Sequence, residues 1–225
     1  VKRWPVAGEG PLIKICGITT PALAEAAVAA GADMIGVVHF KPSPRHLTVD
    51  AAAEIAQTVR GRAFVVALTV DADDATIDAL LAHVRPDALQ LHGKETPERV
   101  AALAARSGLP VAKAIGVAAA GDLALADRYD ALLVIDAKPP KGADRPGGHG
   151  QPFDWTLLDA LDPSRPFMLS GGLDPASVGR AVRLVRPYAV DVSSGVESGG
   201  VKDPAKMAAF VSAVHSAAAA EGITA

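Results

Sequence analysis

The sequence predicts a single-domain α/β protein, a (β/α)8 barrel, and three observations predict it. Eight short apolar runs rich in β-branched residues alternate with alanine-rich stretches of helical spacing, the pattern of βαβ units around a parallel sheet. Eight such units within 225 residues favour a sheet closed on itself over an open doubly wound one. Neither an internal repeat nor a low-complexity linker divides the chain.

Taken in order, the opening VKRWPVAGEGP lacks the apolar core of a signal peptide and reads as a leader over residues 1–11. The catalytic barrel is expected over 12–225. Strands are expected at Leu12–Cys16, Met34–Val38, Phe64–Thr69, Ala88–His92, Val111–Ile115, Ala131–Asp136, Phe167–Ser170 and Ala189–Ser193. Helix starts are marked by Thr20-Pro21, Thr96-Pro97, Asp174-Pro175 and Asp203-Pro204. In each, a side-chain oxygen is positioned to accept from orphan amides, and proline tolerates the first turn because its missing donor costs nothing there. Gly31 and Gly108 stand where helix ends need a left-handed residue. The irregular stretch Ala137–Pro152, after the sixth strand, is long enough to serve as a mobile cover over a site.

Composition narrows the function classes. A net charge of −3 offers no electrostatic case for nucleic acid, and no basic amphipathic stretch suggests a membrane surface. No apolar run approaches the roughly 18 residues of a spanning helix. The lone Cys16 has no disulfide partner within the chain, which suits a reducing compartment. A cytoplasmic protein is expected.

Strand side chains alternate between faces. Ile13 and Ile15 are therefore expected to face the helices, with Lys14 and Cys16 inward. By the same alternation Gln90 and His92 share the inner face, as do Leu132, Val134 and Asp136, and again Asp191 and Ser193. A structural core avoids such residues, because an unpaired buried polar group costs roughly 1–3 kcal/mol. Several strands ending on inward polar groups point to a catalytic rim at the C-terminal mouth.

Ser170-Gly171-Gly172 follows the seventh strand and Ser193-Ser194-Gly195 the eighth. Small residues let backbone amides approach an anion, and these two loops are the usual phosphate site of the fold. His39, His46 and His92 lack zinc-ligand spacing, and no P-loop or G-x-S-x-G elbow occurs. What remains is cofactor-free chemistry, without metal, on a small phosphorylated molecule.

As a set, the motifs resemble the phosphoribosylanthranilate isomerase family. The segments are KICGIT (14–19), GAD (31–33), SPR (43–45), LQLHG (89–93), DAK (136–138), PGGHG (146–150), FDW (153–155), SGGL (170–173), DVSSGVE (191–197) and GVKD (200–203). They run in the family's order from near residue 12 to near residue 210, and KICGIT with DVSSGVE is highly specific. One departure stands at His39, where the family usually has an aromatic residue; Phe40 and Arg45 keep the pattern.

The resemblance implies an Amadori rearrangement of tryptophan biosynthesis. An acid protonates the ribose ring oxygen, the ring opens to a Schiff base, and a base takes the C2′ proton to give an enolamine that becomes the ketone. By family likeness Asp136 is the acid, Cys16 the base, and Arg45 the contact to the anthranilate carboxylate, which suits a guanidinium fork. His92 and Asp191 orient sugar or catalytic pair, and Gly171, Gly172, Ser193, Ser194 and Gly195 hold the phosphate. Lys14, two residues from Cys16 on one face, is a candidate cation to favour its thiolate. The partner is a phosphorylated aromatic-amine sugar; monomer and homodimer stay open. Other phosphate-binding barrels compete: an indoleglycerol-phosphate synthase needs a lysine-rich set, a sugar-phosphate epimerase metal-binding histidines, and the histidine-pathway isomerase an aspartate where Cys16 stands. A catalytically silent metabolite-binding barrel is the reading from another class.

Overall fold

Alternation along eight strands builds the molecule. The computed structural model describes residues 3–8, 10–138 and 153–222; the expected cover loop, Ala137–Pro152, lies outside them from residue 139 onward. β1 (Leu12–Cys16), β2 (Met34–His39), β3 (Phe64–Thr69), β4 (Ala88–Leu91), β5 (Val111–Val117), β6 (Leu132–Ala137), β7 (Phe167–Leu169) and β8 (Ala189–Val192) form one closed parallel barrel. Closure is made by β1, whose Lys14 lies opposite Met34 of β2 and Asp191 of β8.

One set of alternate residues, including Leu12, Met34, Val66, Val134 and Met168, fills the barrel's lower interior. The other set, including Ile13, Ile15, Leu89, Leu91, Leu133 and Val190, packs outward under the helices. Two apolar faces explain why the strands read as nearly continuous hydrophobic runs. Above the inner apolar layer the barrel turns polar, with Lys14, Gln90, Asp136 and Asp191 all buried.

The outer layer comprises α1 (Pro21–Ala30), α2 (Val49–Val59), α3 (Asp74–Ala79), α4 (Pro97–Ser107), α5 (Val178–Val185) and α6 (Pro204–Glu221), with α3 running into a π turn at Leu80–Val84. After β5 and β6 the helical segments are 3-10, Ala120–Arg128 and Trp155–Ala160. In the first of these the buried residues Leu123 and Ala126 are three apart, a spacing that three residues per turn places on one face.

Thr20, Thr96 and Asp203 cap α1, α4 and α6 as expected, accepting from Leu23, Arg99, and Ala205 with Lys206. Asp174-Pro175 behaves differently. The Asp174 carboxylate takes the amides of Ala176 and Ser177 at 2.9 and 2.7 Å, holding a separate turn, and α5 begins only at Val178 after Ser177. Gly31 and Gly108 end α1 and α4 at φ of 99° and 65°. His92, Ser170 and Ser193 lie one residue past their strands.

Trp4, Pro5 and Ala7 contact the barrel floor. Trp4 lies 5.6 Å from the Phe64 ring, Ala7 is buried in the lower interior, and the Tyr188 hydroxyl donates to the Pro5 carbonyl. No helix among the described residues is long and apolar enough to cross a membrane.

Candidate active site

At the C-terminal mouth β1 ends on Cys16, which is buried. Gly36 of β2 lies opposite it, and a Cβ there would stand 2.7 Å from the sulfur. The glycine therefore provides the space the thiol occupies. Beneath it, fully buried Lys14 places Nζ 2.9 Å from Asp191 Oδ1. The Ser170 hydroxyl lies 3.4 Å from the other Asp191 oxygen.

A buried charge is tolerated when paired and hydrogen-bonded. Burial pulls the Lys14 pKa down, but Asp191 and Cys16 outweigh it and the net shift is upward. The Cys16 thiol is pushed up, first by burial and also by Asp191, with Lys14 and Lys202 pulling against them. Lys14 is the first of the groups that oppose the rise. Its pull is smaller than the burial it opposes, so the net shift of the thiol is upward.

β6 carries Asp136 to the same mouth. Its Oδ2 lies 3.3 Å from His92 Nε2, and its Oδ1 accepts from the Ala137 amide at 2.8 Å. His92 Nδ1 is 3.2 Å from Gln90 Nε2, one inward step below on β4. Both oxygens of the carboxylate thus have partners, and its orientation is set by β4 and its own strand.

The two glycine loops meet beside this pair. A Cβ on Gly171 would lie 2.8 Å from Asp136 Oδ1, and one on Gly195 would lie 1.9 Å from the Leu173 carbonyl oxygen. The loops after β7 and β8 are therefore packed backbone to backbone, a closeness only glycine permits. Gly172 lies in the same β7 loop, and Ser194 opens a short 3-10 turn through Val196. The Ser193 hydroxyl donates to the Cys16 carbonyl at 3.0 Å. Lys202 Nζ reaches Ser193 O at 3.2 Å and Oγ at 3.3 Å, adding an ammonium to the ring of backbone.

Arg45 lies at the rim with its fork engaged: Nε and Nη2 donate to the two oxygens of Glu197 at 2.7 and 2.8 Å. Lys202 contacts the same carboxylate. Burial works against the Glu197 charge, yet Arg45 and Lys202 hold its carboxyl below the usual range. His39 turns Nδ1 to the Leu47 carbonyl at 2.8 Å and lies tilted at 52° against His46 with ring centroids 5.1 Å apart. Burial, with His39 and Lys41, pushes the His46 pKa down.

Glu197 and Lys202 stood in the sequence only within the DVSSGVE and GVKD motifs with no role given, whereas Gln90 was read as inward-facing and Ser170 as the start of a glycine loop. For the first two a signal existed: Gly199-Gly200 between Glu197-Ser198 and Val201-Lys202 is a two-residue hairpin turn. The antiparallel pair β9 (Glu197–Ser198) and β10 (Val201–Lys202) sets Lys202 opposite Glu197. Among the described residues no cluster of three or more His, Cys, Asp or Glu has the geometry to hold a metal.

Comparison with known proteins places this geometry. A profile of N-(5'phosphoribosyl)anthranilate (PRA) isomerase matches residues 13–213. The chain is 54% identical over 212 residues to the N-(5'-phosphoribosyl)anthranilate isomerase of Azorhizobium caulinodans, covering 92% of this chain and 93% of that one. It superimposes on the phosphoribosyl anthranilate isomerase of Thermotoga maritima with a TM-score of 0.82 at 35% identity, over 92% of this chain and 99% of that one. A structure of such an isomerase in complex with reduced 1-(o-carboxyphenylamino)-1-deoxyribulose 5-phosphate gives 0.79 at 32% identity, with coverages of 92% and 99%. With a profile match over most of its length and a relative at this identity, the chain belongs to the N-(5'-phosphoribosyl)anthranilate isomerase family.

Proposed function

We propose that Asp136 is the acid and Cys16 the base of the isomerisation. The family's activity, conversion of N-(5'-phosphoribosyl)anthranilate in tryptophan biosynthesis, is the activity of this chain. Asp136 gives its proton to the ribose ring oxygen as the C1′–O bond breaks, leaving a protonated Schiff base. Cys16 takes the C2′ proton, and the electron pair moves to C1′–C2′ to give the enolamine. Tautomerisation yields 1-(2-carboxyphenylamino)-1-deoxyribulose 5-phosphate, so the sugar oxidises at C2′ as C1′ is reduced.

The observation that carries this reading is that a buried thiol and a buried carboxylate both stand in the last two residues of strands at one barrel mouth. The chemistry of each supports its role. A thiolate formed against burial is a stronger base once formed, and Lys14 and Lys202 are the cations that assist it. Asp136, fixed by His92 and the Ala137 amide, lies beside Gly171 of the loop after β7. Amides of Gly171, Gly172, Ser193, Ser194 and Gly195, with Lys202, suit the phosphate. Asp191 acts through Lys14, and Arg45, already aligned by Glu197, suits the anthranilate carboxylate through its remaining Nη1.

The test follows the loss of substrate fluorescence with wild type, Cys16→Ala and Asp136→Asn. Each variant is expected to lose at least about 100-fold in kcat, the lower end of what a positioned acid or base contributes. Equal turnover by all three removes both assignments.

A further inference from the structure

Outside the mouth, the described residues hold one more buried ion pair, and it sits on the back of the segment that carries His92. Lys113 projects from the outer face of β5 and Glu95 from the loop between β4 and α4; their side chains are each only 4% exposed and 2.9 Å apart. Neither touches the thiol or the acid, and the reaction above does not use them.

Their contacts converge on the backbone around His92. Lys113 Nζ donates to the Gly93 carbonyl at 2.6 Å and reaches the Leu91 carbonyl at 3.5 Å. Glu95 Oε2 accepts from the Gly93 amide and Oε1 from the Asp71 amide, each at 2.9 Å. The Asp71 carboxylate takes the Lys94 amide at 2.6 Å. The Tyr129 hydroxyl donates to the Glu95 carbonyl at 3.2 Å, and the His92 amide itself donates to Thr69 at 2.9 Å. Every residue from Leu91 to Lys94 thus has a backbone group fixed by this cluster or by β3.

Two charges withdrawn from water are a poor way to gain stability, because desolvation offsets much of their attraction. Their strength is geometric: a carboxylate and an ammonium hold donors and acceptors in fixed directions. We propose that Lys113 and Glu95 are positioning residues for the reaction, clamping the Leu91–Lys94 turn so that His92 meets the Asp136 carboxylate. The proposal rests on the reading of Asp136 as the acid.

Four proteins test it by steady-state kinetics: wild type, Glu95→Gln/Lys113→Met, His92→Asn, and the combination. The paired substitution removes both charges and leaves neither buried alone. A displaced catalytic group loses rate rather than ground-state binding, so kcat is expected to fall at least about tenfold with KM little changed. Because the clamp acts through His92, the combination falls no further than His92→Asn alone, the non-additivity of residues sharing one path. Multiplied losses in the combination, or wild-type kcat in the clamp variant, overturn the proposal. Should the paired variant not fold, Tyr129→Phe removes only the hydroxyl's contact with Glu95. It is expected to lower kcat by a smaller factor that disappears in the His92→Asn background; an equal fall in both backgrounds overturns the clamp. An Asp136→Asn arm separates the two claims: turnover at the wild-type rate removes the acid assignment, whereas the Lys113–His92 coupling is judged by its own cycle.

Discussion

Lys14 has no exposed surface, and its neighbours govern how Cys16 titrates. Burial raises the thiol pKa, Asp191 adds to the rise, and Lys14 and Lys202 oppose it. A raised pKa keeps the proton on sulfur, so reactive thiolate should appear only above the range of a free cysteine, about 8.5. Iodoacetamide labelling of Cys16, the single cysteine, should show a midpoint above that of free cysteine. Lys14→Met should move it higher still. Lys14→Met/Asp191→Asn, which leaves no lone buried charge, should move it in the same direction, since Lys14 acts more strongly on the thiol than Asp191 does. An unchanged midpoint in both variants removes Lys14 as the thiolate's helper.

At the scale of elements, the β9–β10 hairpin links the loop after β8 to the rim. Glu197 joins Arg45 and Lys202 in one part-buried group, and its carboxyl is held below the usual range. The unfolded chain takes up this proton near pH 4.3, whereas the folded chain stays ionised to lower pH. The contribution to stability is thus present above that range and declines as pH falls through it toward the folded value. Glu197→Gln should be less stable than wild type at pH 7 by about 1–3 kcal/mol, the penalty for leaving buried partners unsatisfied. That gap should narrow in urea unfolding below pH 4. A gap constant from pH 7 to pH 3 shows that the carboxylate's charge is not what holds the hairpin. The pattern of glycines hinted at this turn. It carried no sign that Glu197 would meet Arg45, 152 residues away, because side-chain alternation describes one strand and says nothing of its neighbours across a barrel.

For the whole molecule, closure depends on the first and last strands meeting and on α6 packing against α1 and α5. Phe210 of α6 is completely buried. Phe210→Ala should destabilise the barrel by about 3–5 kcal/mol through lost apolar contact and a residual cavity. The change should appear as a lower urea midpoint, with kcat per folded molecule retained because Phe210 lies in the helical layer. A midpoint unchanged from wild type means the ring does not rely on that contact.

All eight strands and the inward placement of Lys14, Cys16, Gln90, Asp136 and Asp191 were legible from sequence, because hydrophobic periodicity is a local property and buried strands of a parallel sheet display it strongly. Motif order made the family legible as well. The 3-10 character of Ala120–Arg128 and the late start of α5 were not, since each depends on competition between side-chain caps and helix amides. Nor did anything in VAKAI mark Lys113 as the partner of Glu95. Periodicity along the chain was enough to say which residues face inward and at which end of the barrel chemistry belongs. Tertiary structure alone decided which charges touch, since a salt bridge across β4 and β5, or between Lys14 and Asp191 at opposite ends of the chain, depends on closure and register, and neither is written in any one segment.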